Sequence, residues 1–216
     1  MCFSATASFS AAAFTAAIGV ATLKQVKSWR ELPLASMPLL FAAQQAIEGV
    51  LWLQLSAGSG GEAVATLSLS FLVFAKVLWP AYIALAVLPV EPDLRRRQAL
   101  YAIAIFGCSL SLYILGRLIG NPAPAAICGH SIAYGGEESV LSWQGVIYLL
   151  CTCVPLLLSS NKAVQNFGAA ILVGFVVTAY TYFATFVSVW CFFAAANSSL
   201  LYFYFKRAAF SASFQR

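Results

Sequence analysis

Charge is what this chain lacks most. Only 9% of its 216 residues are Asp, Glu, Lys or Arg, against 62% apolar. A soluble domain carries roughly 25% charged and about 45–50% apolar residues, so there is too little polar surface here to coat a water-facing globule. A separate soluble catalytic domain is excluded for lack of chain, since seven spans of about 20 residues would leave only short loops. Histidine is scarcer still: there is one, His130, which removes a three-histidine membrane metallohydrolase. The six cysteines are too few for a secreted disulfide mini-protein, and several sit inside apolar runs. Strand-like alternation of apolar and polar residues is missing, which argues against a barrel. No basic stripe is interleaved with aromatics, so nucleic acid is not an expected partner. Residues 58–61 are glycine-rich but lack the preceding strand and following lysine of a phosphate-binding loop, and read as a turn.

What is present is apolar length. A helix needs about 20 apolar residues to cross a bilayer. Runs near that length occupy residues 4–23, 33–56, 64–90, 98–119, 141–160, 167–184 and 187–205, all rich in Ala, Leu and Phe. The break between the last two is placed near residues 182–188 by length alone, because about 39 helical residues would extend nearly 60 Å, twice the hydrocarbon core. The expected fold is all-α: a single domain over residues 1–216, an integral membrane bundle of seven transmembrane helices. With the N-terminus outside and the C-terminus cytoplasmic, the inner segments hold Lys24, Lys27, Arg30, Arg95, Arg96, Arg97, Lys162, Lys206, Arg207 and Arg216. That is ten of the twelve Lys and Arg, leaving Lys76 and Arg117 within spans. Such asymmetry follows the positive-inside rule, and a six-span reading would violate it at the C-terminus.

The net charge of +5 then belongs to topology and to anionic headgroups, with membrane lipids as expected partners. The first run is followed, not preceded, by its positive charges, so it is expected to stay as a span rather than be cleaved. Trp52, Trp143 and Trp190 fall near outer boundaries, where their rings suit the interface or pack inside. The longest loop, about residues 120–140, is expected outside and irregular from its Pro and Gly content.

Ionisable residues inside spans are the main functional signal, since each costs about 2.5–3.5 kcal/mol at a helix centre on insertion scales. Gln44, Gln45, Glu48 and Trp52 fall at helical spacings that make a polar stripe. Lys76 and Trp79 share a face of an α-helix, and Pro80 cannot donate to the carbonyl of residue 76. Counted along the helices, Glu48 lies roughly 12 Å and Lys76 roughly 18 Å below the outer boundary. A Glu48–Lys76 ion pair is expected, either locking the helices or also binding a ligand or passing a proton. Arg117 is expected to snorkel outward or to pair with Glu137 or Glu138.

Metal ligands gather on the same side. Cys2, Glu48, His130 and Cys191 form a candidate set for a transition metal, with Cys128 next to His130 in Cys128-Gly-His130. If the initiator Met is removed, Cys2 offers an amine as well as a thiol. A Cys2–Cys128 or Cys128–Cys191 disulfide and unlinked thiols are the competing readings. Cys108, Cys151 and Cys153 lie near mid-span and read as small hydrophobes.

Three blocks carry a resemblance: Met1-Cys2-Phe3-Ser4-Ala5, Glu31-Leu-Pro33 continuing to Gln44-Gln45-Ala-Ile-Glu48-Gly49, and Ser188-Val-Trp190-Cys191-Phe-Phe. Together they resemble an uncharacterised family of small prokaryotic membrane proteins, over the whole chain. The resemblance implies a polytopic, seven-span protein of a prokaryotic inner (plasma) membrane, with no activity or ligand attached. The leading expectation is a polar pocket in the extracytoplasmic half, formed by Glu48, Lys76, Gln44, Gln45 and Trp190, that binds a metal ion or small polar ligand in sensing, transport or redox. The alternatives are a structural accessory subunit with a membrane protein partner or as a homo-oligomer, and an enzyme acting on a lipid or quinone. No residue is assigned a catalytic role.

Overall fold

The computed structural model describes residues 4–135 and 142–213, with side chains described through residue 206. Six helical segments are long and apolar enough to cross a membrane: Ala5–Leu23, Trp29–Ser56, Glu62–Val90, Leu94–Gly120, Lys162–Thr181 and Phe183–Lys206. A further apolar helix, Trp143–Leu158, has 16 residues, about 24 Å of helix. These segments coincide with the seven apolar runs, and the chain is a multi-pass helical membrane protein.

Helix α1 (Ala5–Leu23) starts at Ser4, whose hydroxyl accepts the Ala7 N–H. Its buried residues are Ser8, Ala12, Thr15, Gly19 and Thr22, spaced four and three apart along one seam. Small side chains there let α2 (Leu32–Ser56) come close. A Cβ on Gly19 would sit 2.6 Å from Leu39 Cγ, and one on Gly49 would sit 2.8 Å from the Phe9 ring. Thr15 and Thr22 donate back to the carbonyls of Ala11 and Ile18, each at 2.7 Å, so the seam carries hydroxyls without stranding them. Helix α2 is launched by a capping box, with Ser28 and Glu31 bonding across a short 3₁₀ turn.

Helix α3 (Glu62–Leu72) and helix α4 (Trp79–Val87) are one rod interrupted by a π-helical segment, Val73–Leu78. Helix α5 (Leu94–Gly120) is capped by Asp93, which accepts the Arg96 N–H at 2.8 Å. Then come α6 (Trp143–Leu158), α7 (Lys162–Thr181), α8 (Phe186–Asn197) and α9 (Leu200–Ser213). The turn between α7 and α8 passes through a 3₁₀ stretch at Phe183–Thr185, inside the expected window. The last run is not one helix: Ser198 and Ser199 break it, with Ser198 Oγ donating to the Ala195 carbonyl at 2.6 Å.

The loop expected to be irregular contains regular structure. Strands β1 (Ala125–Cys128) and β2 (Ser131–Tyr134) form an antiparallel hairpin, Ala125 opposite Tyr134 and Cys128 opposite Ser131. Gly129 turns it at φ +61°, a conformation glycine adopts without strain. Strand β2 lies against the bundle with Ser131, Ile132 and Tyr134 buried, while Ala126, Ile127 and Cys128 of β1 are exposed. An eight-residue pairing is too short to have shown as alternation among Pro and Gly. The fold is thus helical with one small β-hairpin laid on its end.

Helix direction alternates, so the core divides into two clusters. One, toward the hairpin, includes Leu51, Trp52, Phe71, Leu118, Ile132 and Tyr134. The other, toward the opposite end, includes Leu34, Phe41, Trp79, Leu156, Phe167 and Phe205. That opposite end carries the arginine-rich loop, and its connections are tied by buried Glu91. Its carboxylate accepts from the Ser160 N–H at 2.7 Å, from the Ser160 hydroxyl and from the Asp93 N–H, while Arg96 donates to the Leu158 carbonyl at 3.1 Å. Outward faces of the helices remain apolar and exposed, as at Ile105, Phe106, Leu112 and Ile119 on α5 and Val173, Val176 and Tyr180 on α7.

Helices α4 and α5 touch backbone to backbone. A Cβ on Gly107 would lie 2.1 Å from the Pro80 carbonyl oxygen, whereas one on Gly116 of the same helix would meet nothing within 4 Å. Gly107→Ala is therefore expected to force the helices apart and to cost about 1–3 kcal/mol. Gly116→Ala serves as the neutral control. Thermal midpoints of the purified variants check this: a fall for Gly107→Ala alone is the expected outcome.

Candidate functional site

Pro80 has no N–H to offer the carbonyl one turn back, and the helix answers by slipping into the π form over Val73–Leu78. Carbonyls released in that slip are taken up by other helices. Tyr148 of α6 donates its hydroxyl to the Ala75 carbonyl, and Ser111 of α5 donates to the Val77 carbonyl at 2.6 Å. Three helices are thereby pinned at one level of the bundle by groups that lipid could not satisfy.

The π segment also resets which way its side chains face. On an uninterrupted α-helix Lys76 and Trp79 would share a face; the wider turn separates them. Trp79 turns into the core, where its indole donates to Gln44 Oε1 at 2.9 Å and stacks on Phe41 at 3.9 Å. Lys76, half-buried, instead lines a cavity of about 230 Å³.

That cavity lies under the hairpin, among the π segment, α5, α6, α7 and α8. Lys76, Arg117, Asn121 and Gln144 supply polar groups, and the rest of the wall is mainly apolar, including Ile114, Leu118, Phe183 and Phe186. An aromatic cluster forms part of it. Trp190 meets Tyr148, Phe175 and Phe186 with ring centroids 5.6, 5.3 and 5.3 Å away, and its indole N–H donates to the Ile171 carbonyl at 3.3 Å. Offset and edge-on contacts of this kind hold a ring in one orientation. Cys191, on the same turn of α8, also lines the cavity.

A second polar group sits on the other side of that turn. Gln45 and Glu48, three apart on α2, are 0% and 2% exposed, and Gln45 Nε2 donates to Glu48 Oε2 at 3.4 Å. Ser188 of α8 and Tyr134 of β2 bring hydroxyl groups to the same carboxyl. Among the described residues no ion pair reaches Glu48, and the expected Glu48–Lys76 pair is not formed. The physical reason is the π segment, which carries Lys76 toward the cavity and leaves Glu48 to the hydroxyls of the hairpin and α8.

The model of one family matches residues 1–216, and its description is "Family of unknown function (DUF6629)". The chain belongs to that family. The three sequence blocks that carried the resemblance lie within the matched span. No curated protein and no solved structure matches the DUF6629 chain.

Within the DUF6629 protein, the residues singled out from sequence divide between two adjacent places. Lys76, Trp190 and Cys191 line the cavity; Gln45 and Glu48 form the buried polar group, with Gln44 turned toward Trp79. His130 is exposed at the tip of the hairpin, whose turn carries it out beyond β2. Cys2 lies outside the described residues, as do Glu137 and Glu138. Among the described residues no three of His, Cys, Asp and Glu come together as a metal-ligand group. No disulfide joins Cys128 to Cys191: Cys128 is exposed on β1 and Cys191 is buried. Trp52 packs inside and Trp143 is exposed. Tyr134 and Tyr148 were not anticipated, because each acts on a residue far away in the chain and neither sits in a recognisable spacing.

Tyr148→Phe keeps the ring against Trp190 and removes only the donor to the Ala75 carbonyl. A buried carbonyl stripped of its donor costs about 1–3 kcal/mol. The expected result is a lowered thermal midpoint, with hydrogen exchange at residues 73–78 accelerated and exchange in α1 unchanged.

Proposed function

We propose that the DUF6629 protein is a binding protein of the prokaryotic inner membrane. It crosses seven times, with its N-terminus outside and its C-terminus in the cytoplasm. Its cavity beneath the hairpin receives a small ligand that carries an anionic group on an apolar body. The observation that carries this reading is the lining itself, which combines Lys76 and Arg117 with Phe183, Phe186 and the Trp190 cluster. Cations in a site of low polarity hold anions through charge-assisted hydrogen bonds, and the aromatic wall rewards an apolar body. The same two cations disfavour a metal ion in this cavity. Its volume of about 230 Å³ limits the occupant to a small molecule or to one end of a longer one. The exposed apolar faces of α5 and α7 support contact with lipid acyl chains around the bundle.

Trp190 provides a direct readout. A brominated short-chain carboxylate is expected to quench the fluorescence of the purified full chain saturably. Lys76→Met with Arg117→Gln is expected to weaken that binding by roughly tenfold or more per charge, from about 1.5–3 kcal/mol for a hydrogen bond to a charged group. Quenching that never saturates, or that the double variant leaves unchanged, defeats the ligand reading. A stoichiometric protein partner recovered in its place would revive the accessory-subunit reading.

Orientation has its own test. Cys128, exposed on β1, is expected to react with a membrane-impermeant maleimide in intact cells, while green fluorescent protein fused after Arg216 fluoresces in the cytoplasm. The opposite pattern inverts the topology.

A further inference from the structure

The polar group around Glu48 has an imbalance that hydrogen bonding within the described residues does not resolve. Glu48 Oε1 and Gln45 Oε1 are both buried acceptors without a hydrogen-bond partner, although Gln45 Nε2 donates to Glu48 Oε2 beside them. Native interiors leave few such atoms, and each points to something that belongs there. A positive ion would satisfy both oxygens, where another acceptor would not. Among the described residues none supplies one: α2 contributes the amides of Gln44 and Gln45, α8 contributes Ser188, and β2 contributes Tyr134. The Trp79 indole is committed to Gln44.

We propose that the Glu48 carboxylate, Gln45 Oε1 and the hydroxyl oxygens of Ser188 and Tyr134 bind a small monovalent alkali cation, of which sodium is the representative. Oxygen-only donors select hard cations over transition metals. A single carboxylate supplies one negative charge, which a monovalent ion neutralises inside a region that excludes water. Calcium takes 6–8 oxygen ligands and magnesium a near-ideal octahedron, usually with more than one carboxylate or with retained water. Among the described residues no group of three His, Cys, Asp or Glu includes Glu48. Three elements distant in sequence supply the ligands, so an ion here would join α2, α8 and the hairpin at one point. The site is independent of the anion cavity. Ser188 faces Glu48, whereas Val187, Trp190 and Cys191 of the same helix line the cavity.

The test uses the full chain purified in detergent and exchanged into choline chloride, then titrated with sodium chloride at constant ionic strength and fixed pH. Thermal midpoint and tryptophan emission are the two readouts, with Trp52 one turn from Glu48 and Trp79 bonded to Gln44. The wild type is expected to show a saturable change in emission and a midpoint that rises with the logarithm of sodium concentration above half-saturation. Glu48→Gln, similar in shape and without charge, is expected to lose both responses. Ser188→Ala, a smaller change that keeps the carboxylate, is expected to raise the half-saturating sodium concentration about tenfold, as loss of one supporting ligand does at ion sites. It carries the comparison if Glu48→Gln does not fold. Identical wild-type curves in sodium and choline chloride overturn the proposal, as does a response to pH alone. Sodium responses that persist unchanged in Ser188→Ala and Glu48→Gln overturn it as well. The carboxylate quenching experiment is read separately, so failure of either site leaves the other standing.

Discussion

In a water-free interior every released backbone carbonyl needs a partner, and Pro80 releases carbonyls in the middle of the bundle. The π segment at Val73–Leu78, the Tyr148 hydroxyl on Ala75 and the Ser111 hydroxyl on Val77 are one solution to that requirement. Gly107 belongs to it too, because α5 can reach that level only where it has no side chain between its backbone and the Pro80 carbonyl. Once these contacts are made, α4, α5 and α6 are held at fixed height. The wider π turn sends Lys76 and Trp79 to different destinations. The cavity opens where Lys76 emerges, and the indole of Trp79 closes the polar side of α2.

Helix α8 separates the two polar regions that result. One turn of it presents Ser188 to Glu48, and the neighbouring positions Val187, Trp190 and Cys191 to the cavity. A rotation of α8 would move both sets together. The hairpin has a similar double contact: Tyr134 stacks on Phe71 at 4.9 Å while its hydroxyl approaches Glu48, and Gly135 of the following residues borders the cavity. Packing thus leaves Glu48 among hydroxyls, while Lys76 and Arg117 line the cavity.

Much of the architecture was legible in residue order. Apolar runs marked the membrane segments within a few residues, because length and hydropathy are what a bilayer selects. The turn near residues 182–188 followed from length alone. The polar stripe Gln44, Gln45 and Glu48 was correctly placed inside. The hairpin was not legible: four-residue strands leave no periodic trace, and β2 is buried by helices far from it in sequence. The Glu48–Lys76 pair was expected because both were assigned α-helical phase, and one π turn is enough to undo such an inference.

By itself the sequence determined that the protein lives in a membrane, roughly where its apolar segments lie, and which scarce polar residues fall within them. Those properties depend on composition along the chain, which local rules can read. The tertiary structure alone decided which of those polar residues meet. Tyr134 reaches Glu48 across 86 residues and Tyr148 reaches Ala75 across 73. Such contacts depend on the rotation and height of whole helices, set by where a single missing N–H let the α3–α4 rod slip.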